Sequence, residues 1–534
     1  MDFATLRRDL MGTDAVIQTP FGARRVTYAD YVASGKPLKS VEERVATLAL
    51  PLYANTHTED SATGAHSTHL THQAQDYIRA QLGGDATCKL VFCGSGSTAA
   101  VRRIQDILGL TVSAAHRNTV LEHLPEQERP VVFVGPYEHH SNEVSWRETL
   151  AEVIEIPLCQ EGNLDLDFLL KALKDPRYVQ RPKIGSFSAA SNVTGLLTDT
   201  RTVARMLHAH GAYAFFDFAA SAPYVKIDMK PGQPDGYDAV FLSPHKFVGG
   251  PGTPGLLCFQ QHLYTLAAPS TAGGGTVSYV SRTRHAFVDD IEAREDAGTP
   301  AILGKIRTAL AFQVKEELGV EQLTQREHQL FQQALGRLAA QPRIQILGNP
   351  RAERLAFLSF LIHTESGPYL HPRLVVRLLN DLFGIQARGG CACAGPYGHA
   401  LLNVDDAQSE RYFQCVISDL EGIKPGWTRL NLAPWASDAE VDFILSAIEF
   451  VAEWGEHFMH HYSFDWKTGA WSHPADQAPL DLFGSERPQT GVGEVPYAEY
   501  LAEARALAQG LKPVGERRAV PGSVPLDLVL FAYY

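Results

Sequence analysis

The sequence predicts an α/β fold: a mostly parallel seven-stranded sheet with helices on both faces, followed by a smaller C-terminal α/β domain. Three observations predict it. Between residues 88 and 259, short apolar runs alternate with helical patterns. Those runs suit strands covered on both faces. Beyond about residue 305 the texture becomes more helical, with two further strand candidates.

In chain order, residues 1 to about 80 mix helical pattern with loops, and Tyr31–Gly35 and Asn55–Gly64 look irregular. Lys89–Phe92 reads as the first strand, followed by a helix from Thr98 to Leu108. Val131–Val134, Val153–Leu158 and Ile184–Ser188 read as strands; Thr198–His210 reads as a helix that Gly211 stops. Ala212–Phe216, Ala239–Leu242 and Gly255–Phe259 complete the seven. The later candidates are Ala356–Leu361 and Thr428–Leu432. The expected division is an N-terminal segment (1–60) packing on the small domain, a large domain (61–305), a small α/β domain (306–455) and a packed extension (456–534).

Bulk properties exclude several classes. A net charge of −13 leaves no basic face for nucleic acid. No apolar run reaches the roughly eighteen residues that a spanning helix needs, and residues 1–6 lack a signal-peptide layout. Seven cysteines, an odd number in a chain of 534, suit reduced thiols in a cytoplasm better than a disulfide framework.

Ligands of parallel α/β sheets bind beyond the carboxyl ends of the strands, so the polar residues there carry the chemistry. The first end is Gly94-Ser95-Gly96-Ser97-Thr98, leading into a helix: an anion cradle, or an ordinary capped turn. The second, Glu138-His139-His140-Ser141-Asn142, places two histidines where a ligand, a metal or only a loop would use them. The third, Ser191-Asn192-Val193-Thr194-Gly195, says little alone. At the fourth, Phe215-Phe216 ends in Asp217, which could pair with a pyridinium nitrogen or serve as a structural ion pair. The fifth, Ser243-Pro244-His245-Lys246 before Gly249-Gly250-Pro251-Gly252, suits a Schiff-base lysine made nucleophilic by desolvation. Any one segment could be structural. Five in this order point to pyridoxal 5′-phosphate (PLP).

With Ala297-Gly298-Thr299-Pro300 and Arg388-Gly389-Gly390-Cys391-Ala392-Cys393-Ala394, these segments resemble the class V aminotransferase family of fold-type I PLP enzymes. The nearest likeness is to its cysteine desulfurase and selenocysteine lyase branch, over about Tyr31 to Ile448. The resemblance implies that Lys246 binds PLP and shuttles the α-proton, that Asp217 pairs with the ring nitrogen, and that Ala219 packs under the ring. It implies that His139 stacks on the other face and joins in proton transfer, and that Ser97, Thr98, Ser243 and His245 hold the phosphate. Thr299 would reach the phosphate of a neighbouring subunit, which makes a homodimer with shared sites. Asn192 would lie near the ring oxygen or the substrate carboxylate, and Arg429 would clamp that carboxylate, with Arg388 nearby. Against the family pattern, Ala220 stands where Gln is common, Ala99 where Glu is common, the phosphate loop looks one residue longer, and the chain runs some 80 residues further.

Within such a family, Cys393 follows Arg388 at the spacing of a persulfide-forming cysteine, and Cys391 could act as a resolving or relay thiol. A sulfur acceptor protein would then be a partner. An aminotransferase or C–S lyase of the same family is the alternative, and a non-enzymatic scaffold is disfavoured by the presence of Lys246, Asp217 and Arg429. Cys391 and Cys393 with His399 make an incomplete zinc set, so no metal is expected. His66, His69 and His72 share a helix face that reads as solvated.

Overall fold

The computed structural model describes residues 1–511 and 518–533. The chain forms two compact units: Met1–Asp2, Ala33–Ser191 and Leu196–Thr324 in the first, and Phe3–Val32, Asn192–Gly195 and Gln325–Tyr534 in the second.

The first unit is built on seven strands: β1 (Cys88–Cys93), β2 (Val131–Val134), β3 (Glu152–Glu155), β4 (Lys183–Ser188), β5 (Ala212–Asp217), β6 (Ala239–Leu242) and β7 (Gly255–Gln260). Their order across the sheet is β1-β7-β6-β5-β4-β2-β3. Six strands run parallel. Only β7 is reversed, pairing antiparallel with both β1 and β6. Successive side chains separate into two cores, as strand periodicity requires. Phe133, Phe187, Phe216 and Leu242 face one side, against Ile78 of α1 (Ala62–Gln81) and Leu207 of α3 (Thr200–Ala209). Val132, Phe215, Phe241 and Phe259 face the other, against Val101 and Ile104 of α2 (Gly96–Ile107). Burying each such side chain contributes roughly 1.5–3 kcal/mol. Helix α4 (Ile302–Leu318) adds Ala311 and Phe312 to the first core.

The second unit has an antiparallel sheet of β8 (Ile344–Ile346), β9 (Phe357–Ile362), β10 (Arg388–Gly390) and β11 (Trp427–Asn431), in the order β8-β9-β11-β10. Helices α5 (Pro372–Phe383) and α6 (Asp438–Phe458) pack together beside it. The first thirty residues hold more strand than their pattern suggests. Ala15–Thr19 pairs with Gly22–Arg25 and with Gln489–Thr490 far along the chain, and Thr27–Tyr28 pairs with Ile385–Gln386. The later residues belong to the same unit; Phe464, Trp471 and Phe531 close around the ring of His371, whereas Leu482, Phe483 and Val492 are exposed. Among the described residues no helix is long and apolar enough to cross a membrane.

Candidate active site

All five polar segments follow parallel strands, so all leave one edge of the large sheet. Four of them keep their polar residues in the first unit. The loop after β1 turns into α2 through Gly96, whose φ of +57° is left-handed. A Cβ at Gly96 would sit 3.0 Å from Ser243 Oγ and 3.7 Å from His245 Nε2, and one at Gly255 would sit 2.0 Å from Gly96 O. Glycine at both places lets three chain segments meet closely. Ser95 gives α2 no side-chain cap, and Ser97 N donates instead to Ser243 Oγ at 2.8 Å. Thr98 is exposed and shares a 2.6 Å hydrogen bond with Ser141.

His139 follows at the next strand end. Its Nδ1 accepts from Ser141 N at 3.1 Å, so the neutral ring carries its proton on Nε2. Beneath it Glu138 is buried and gathers four donors. Gly135 N (3.1 Å) and Ser188 N (2.8 Å) reach Oε1; Ser188 Oγ (2.6 Å) and Asn142 Nδ2 (2.7 Å) reach Oε2. Burial, with Asp217 adding to it, pushes its carboxyl up to about 7 against those hydrogen bonds.

Asp217 ends β5 and is fully enclosed. Its Oδ1 accepts from Ala219 N at 2.9 Å, and Ser97 Oγ lies 3.5 Å from Oδ2. Burial raises its pKa, while the Ala219 N–H, the charge on Lys246 and Ser97 pull it back. Lys246 closes the short turn Pro244–Lys246 after β6 and is half-buried. Burial and the Lys246 charge together push His245 down to about 4, so its ring is neutral at pH 7. The turn is clamped by Gly35 N donating to His245 O (2.8 Å) and Gly249 N donating to Lys36 O (2.8 Å). A Cβ on Gly35 would lie 1.9 Å from Phe247 O. Thr299 is exposed in the turn before α4, and among the described residues no hydrogen bond joins it to this cluster.

The remaining candidates lie in the second unit. Arg429 of β11 stands in register with Arg388 of β10 and Ser359 of β9. It is 4% exposed. One terminal nitrogen donates to Asn192 O at 2.9 Å and the other to Asp30 Oδ1 at 3.2 Å, while Nε is buried without a partner. Burial lowers its pKa and Arg388 adds to that, opposed by Asp30 and by a thiolate at Cys393. Arg388 Nε reaches the other oxygen of Asp30 at 3.2 Å, so one carboxylate serves two guanidiniums. Asn192 donates from Nδ2 to Ala392 O at 2.7 Å, and its Oδ1 is buried without a partner. Ala392 and Cys393 both take left-handed φ values, +50° and +55°, and Cys393 is exposed.

The model of the class-V aminotransferase family matches residues 27–442. The chain belongs to that family. Among relatives of this chain, a probable cysteine desulfurase from Halalkalibacterium halodurans is 26% identical over 405 residues, covering 75% of this chain and 92% of its own. An apo cysteine desulfurase from Thermococcus onnurineus has 22% identity and a TM-score of 0.66, over 84% of this chain and 98% of its own. A cysteine desulfurase from Escherichia coli gives 23% identity and a TM-score of 0.64, over 85% of this chain and 99% of its own. At these identities the two structures establish the fold.

Three features of the site escape a reading of the sequence. Asp30 is a single acid in Tyr28-Ala29-Asp30-Tyr31, and nothing local ties it to arginines about 360 and 400 residues away. The end of the irregular Tyr31–Gly35 segment, with Lys36 after it, hydrogen-bonds to the Lys246 turn, 211 residues on in the case of Ser34 Oγ. Glu138 was visible only as a letter beside two histidines. Its apolar surroundings, on strands that are distant in sequence, are what distinguish it.

Proposed function

We propose that this chain is a PLP-dependent enzyme of the cysteine desulfurase kind, converting L-cysteine to L-alanine with sulfur received by Cys393. The observation that carries the reading is the convergence at one sheet edge of the Gly96–Thr98 cradle, the buried Asp217 and Lys246. The residues fit the cofactor. Asp217 is a deeply buried carboxyl held by neutral donors and the Lys246 charge, a setting that a pyridinium nitrogen would complete. The close approach that Gly96 and Gly255 allow brings Ser97, Ser243 and a neutral His245 together beside Thr98, a donor set that suits a phosphate. When bound, PLP supplies an electron sink for the substrate α-carbon.

The chain's own groups do the rest. Lys246 Nζ would hold the cofactor covalently and move the α-proton, and His139, with its proton on Nε2, and Ala219 would flank it. Arg429, its charge oriented by Asp30, attracts the substrate carboxylate, with Arg388 and Asn192 beside it. Cys393 Sγ attacks the substrate sulfur as a thiolate: the new S–S bond forms as the Cβ–S bond breaks. The carbon keeps the electron pair, takes a proton, and leaves as alanine. The reading extends to a homodimer in which Thr299 completes a neighbour's phosphate site, to a sulfur acceptor protein, and to the cytoplasm. Seven cysteines, none in a disulfide, support a reducing compartment.

The test is product analysis with L-cysteine, the PLP-loaded protein and a thiol. Alanine matched by sulfide is expected, together with a borohydride-trapped adduct that Lys246→Ala abolishes. Pyruvate in place of alanine would assign a lyase, and an adduct that survives Lys246→Ala would remove the cofactor assignment.

A further inference from the structure

We infer that Cys391 is a resolving thiol: its thiolate attacks Sγ of a Cys393 persulfide, closes a Cys391–Cys393 disulfide and expels sulfide. This rests on the function proposed above and adds to it the fate of the sulfur.

Cys391 and Cys393 are the two exposed cysteines of the seven; Cys88, Cys93, Cys258 and Cys415 are buried and Cys159 is half-buried. Both stand on the same four-residue link between β10 and the helix Gly395–Leu402. Across an extended residue, Cα atoms two positions apart are separated by about 7 Å. A left-handed φ at the intervening Ala392 folds the backbone back on itself and shortens that span, toward the roughly 4.4–6.8 Å at which cystine bridges form. The fold is held from outside the link. Asn192 Nδ2 grips Ala392 O at 2.7 Å, Ala394 N donates to Cys391 O at 3.3 Å, and β10 is fixed in register against β11. Non-glycine residues avoid left-handed φ, and two in succession persist only where surrounding contacts impose them. Asn192, Arg388 and Arg429 thus constrain a loop whose exposed reactive groups are two neighbouring thiols.

The chemistry balances without another reactant. The thiolate of Cys391 forms an S–S bond to the inner sulfur of the persulfide. The bond from that sulfur to the outer one breaks, and the outer sulfur leaves as HS⁻ with the electron pair. The sulfane sulfur is reduced and the two cysteine thiols are oxidised to a disulfide. An external dithiol, or two monothiols, then reopens the disulfide for the next turnover. Transfer to an acceptor protein would use the persulfide directly and bypass Cys391.

The test is a single turnover under anaerobic conditions, with PLP-loaded enzyme in excess over L-cysteine and no other thiol. The mixture is alkylated and the peptide Gly389–Arg411 is weighed. For the wild type, we expect alanine and sulfide in equal amounts and a peptide lighter by two hydrogens that takes up no alkylating agent. In Cys391→Ser the peptide should instead gain one sulfur atom on Cys393, and sulfide should appear only after thiol is added. A wild-type peptide that keeps the extra sulfur, on either cysteine, would overturn the inference. Absence of alanine in the wild type would remove the desulfurase reading itself, and the resolving role with it.

Discussion

Glu138 offers a quantitative test of how the cofactor-facing edge is organised. Its two oxygens accept four hydrogen bonds from donors on two strand ends, and it is buried, so solvent offers no replacement. Glu138→Gln keeps the shape but exchanges one acceptor oxygen for a donor. The less costly orientation keeps the carbonyl toward Gly135 N and Ser188 N and turns the amide toward Ser188 Oγ and Asn142 Nδ2. The hydroxyl can rotate to accept. Asn142 cannot flip, because its Oδ1 already accepts from Trp146 Nε1 and Ser186 Oγ. One buried donor is stranded, at a cost of about 2 kcal/mol. Glu138→Ala strands all four, for about 4 kcal/mol or more. At about 2 °C per kcal/mol for a unit of this size, thermal denaturation should show losses near 4 °C and 8 °C. PLP retention should weaken in the same order, since His139 and Ser188, the register partner of Asp217, lose their anchor. If both variants melt within a degree of the wild type, the carboxylate does not organise these strand ends and the reasoning fails.

Two further outcomes follow from the geometry. Glu327 is buried with one backbone donor, Ala356 N, and burial pushes its carboxyl up to about 8. The folded state therefore keeps a proton that the unfolded chain loses near 4.5; the stability this contributes is complete below that pH and falls by about 1.4 kcal/mol per unit until pH passes 8. Denaturation midpoints at pH 6, 7 and 8 should trace that slope in the wild type and lose it in Glu327→Gln. Gly255→Ala should push the phosphate cradle aside, because its Cβ would come 2.0 Å from Gly96 O. The dissociation constant for PLP, followed by its absorption, should rise at least tenfold, and an unchanged value would show that the cradle does not need this approach.

The large sheet was legible because each strand is a short apolar run bounded by polar or glycine residues. Val131–Val134 and Ala239–Leu242 match their expected limits, and every residue in them is buried. Val153–Leu158 instead pairs over Glu152–Glu155, since the partner strand ends at Val134, whose carbonyl accepts from Ile156 N, and Leu158 only bridges to Leu164. That β7 runs against its neighbours was invisible, because periodicity reports which face a residue takes and carries no strand direction. At the N-terminus the local hairpin of Ala15–Thr19 with Gly22–Arg25 was missed outright, whereas Thr27–Tyr28 and the other edge of Ala15–Thr19 find partners only near residues 385 and 490. The site shows the same division. Residues that line a strand end announced themselves by position. Asp30 and the Ser34–Lys36 clamp act only through partners that the fold brings near.

The reversed strand also has a consequence during synthesis. The cradle strand, Cys88–Cys93, stands at the sheet edge, where among the described residues Gly255–Gln260 is its one sheet neighbour, and its nearest paired residues, Cys93 and Gly255, are 162 positions apart. A ribosome adding about 5–20 residues per second takes roughly 8–30 s to cover that distance. Until then the edge strand has no sheet neighbour, and the Ser97 N–H that follows it cannot take its place against Ser243 Oγ.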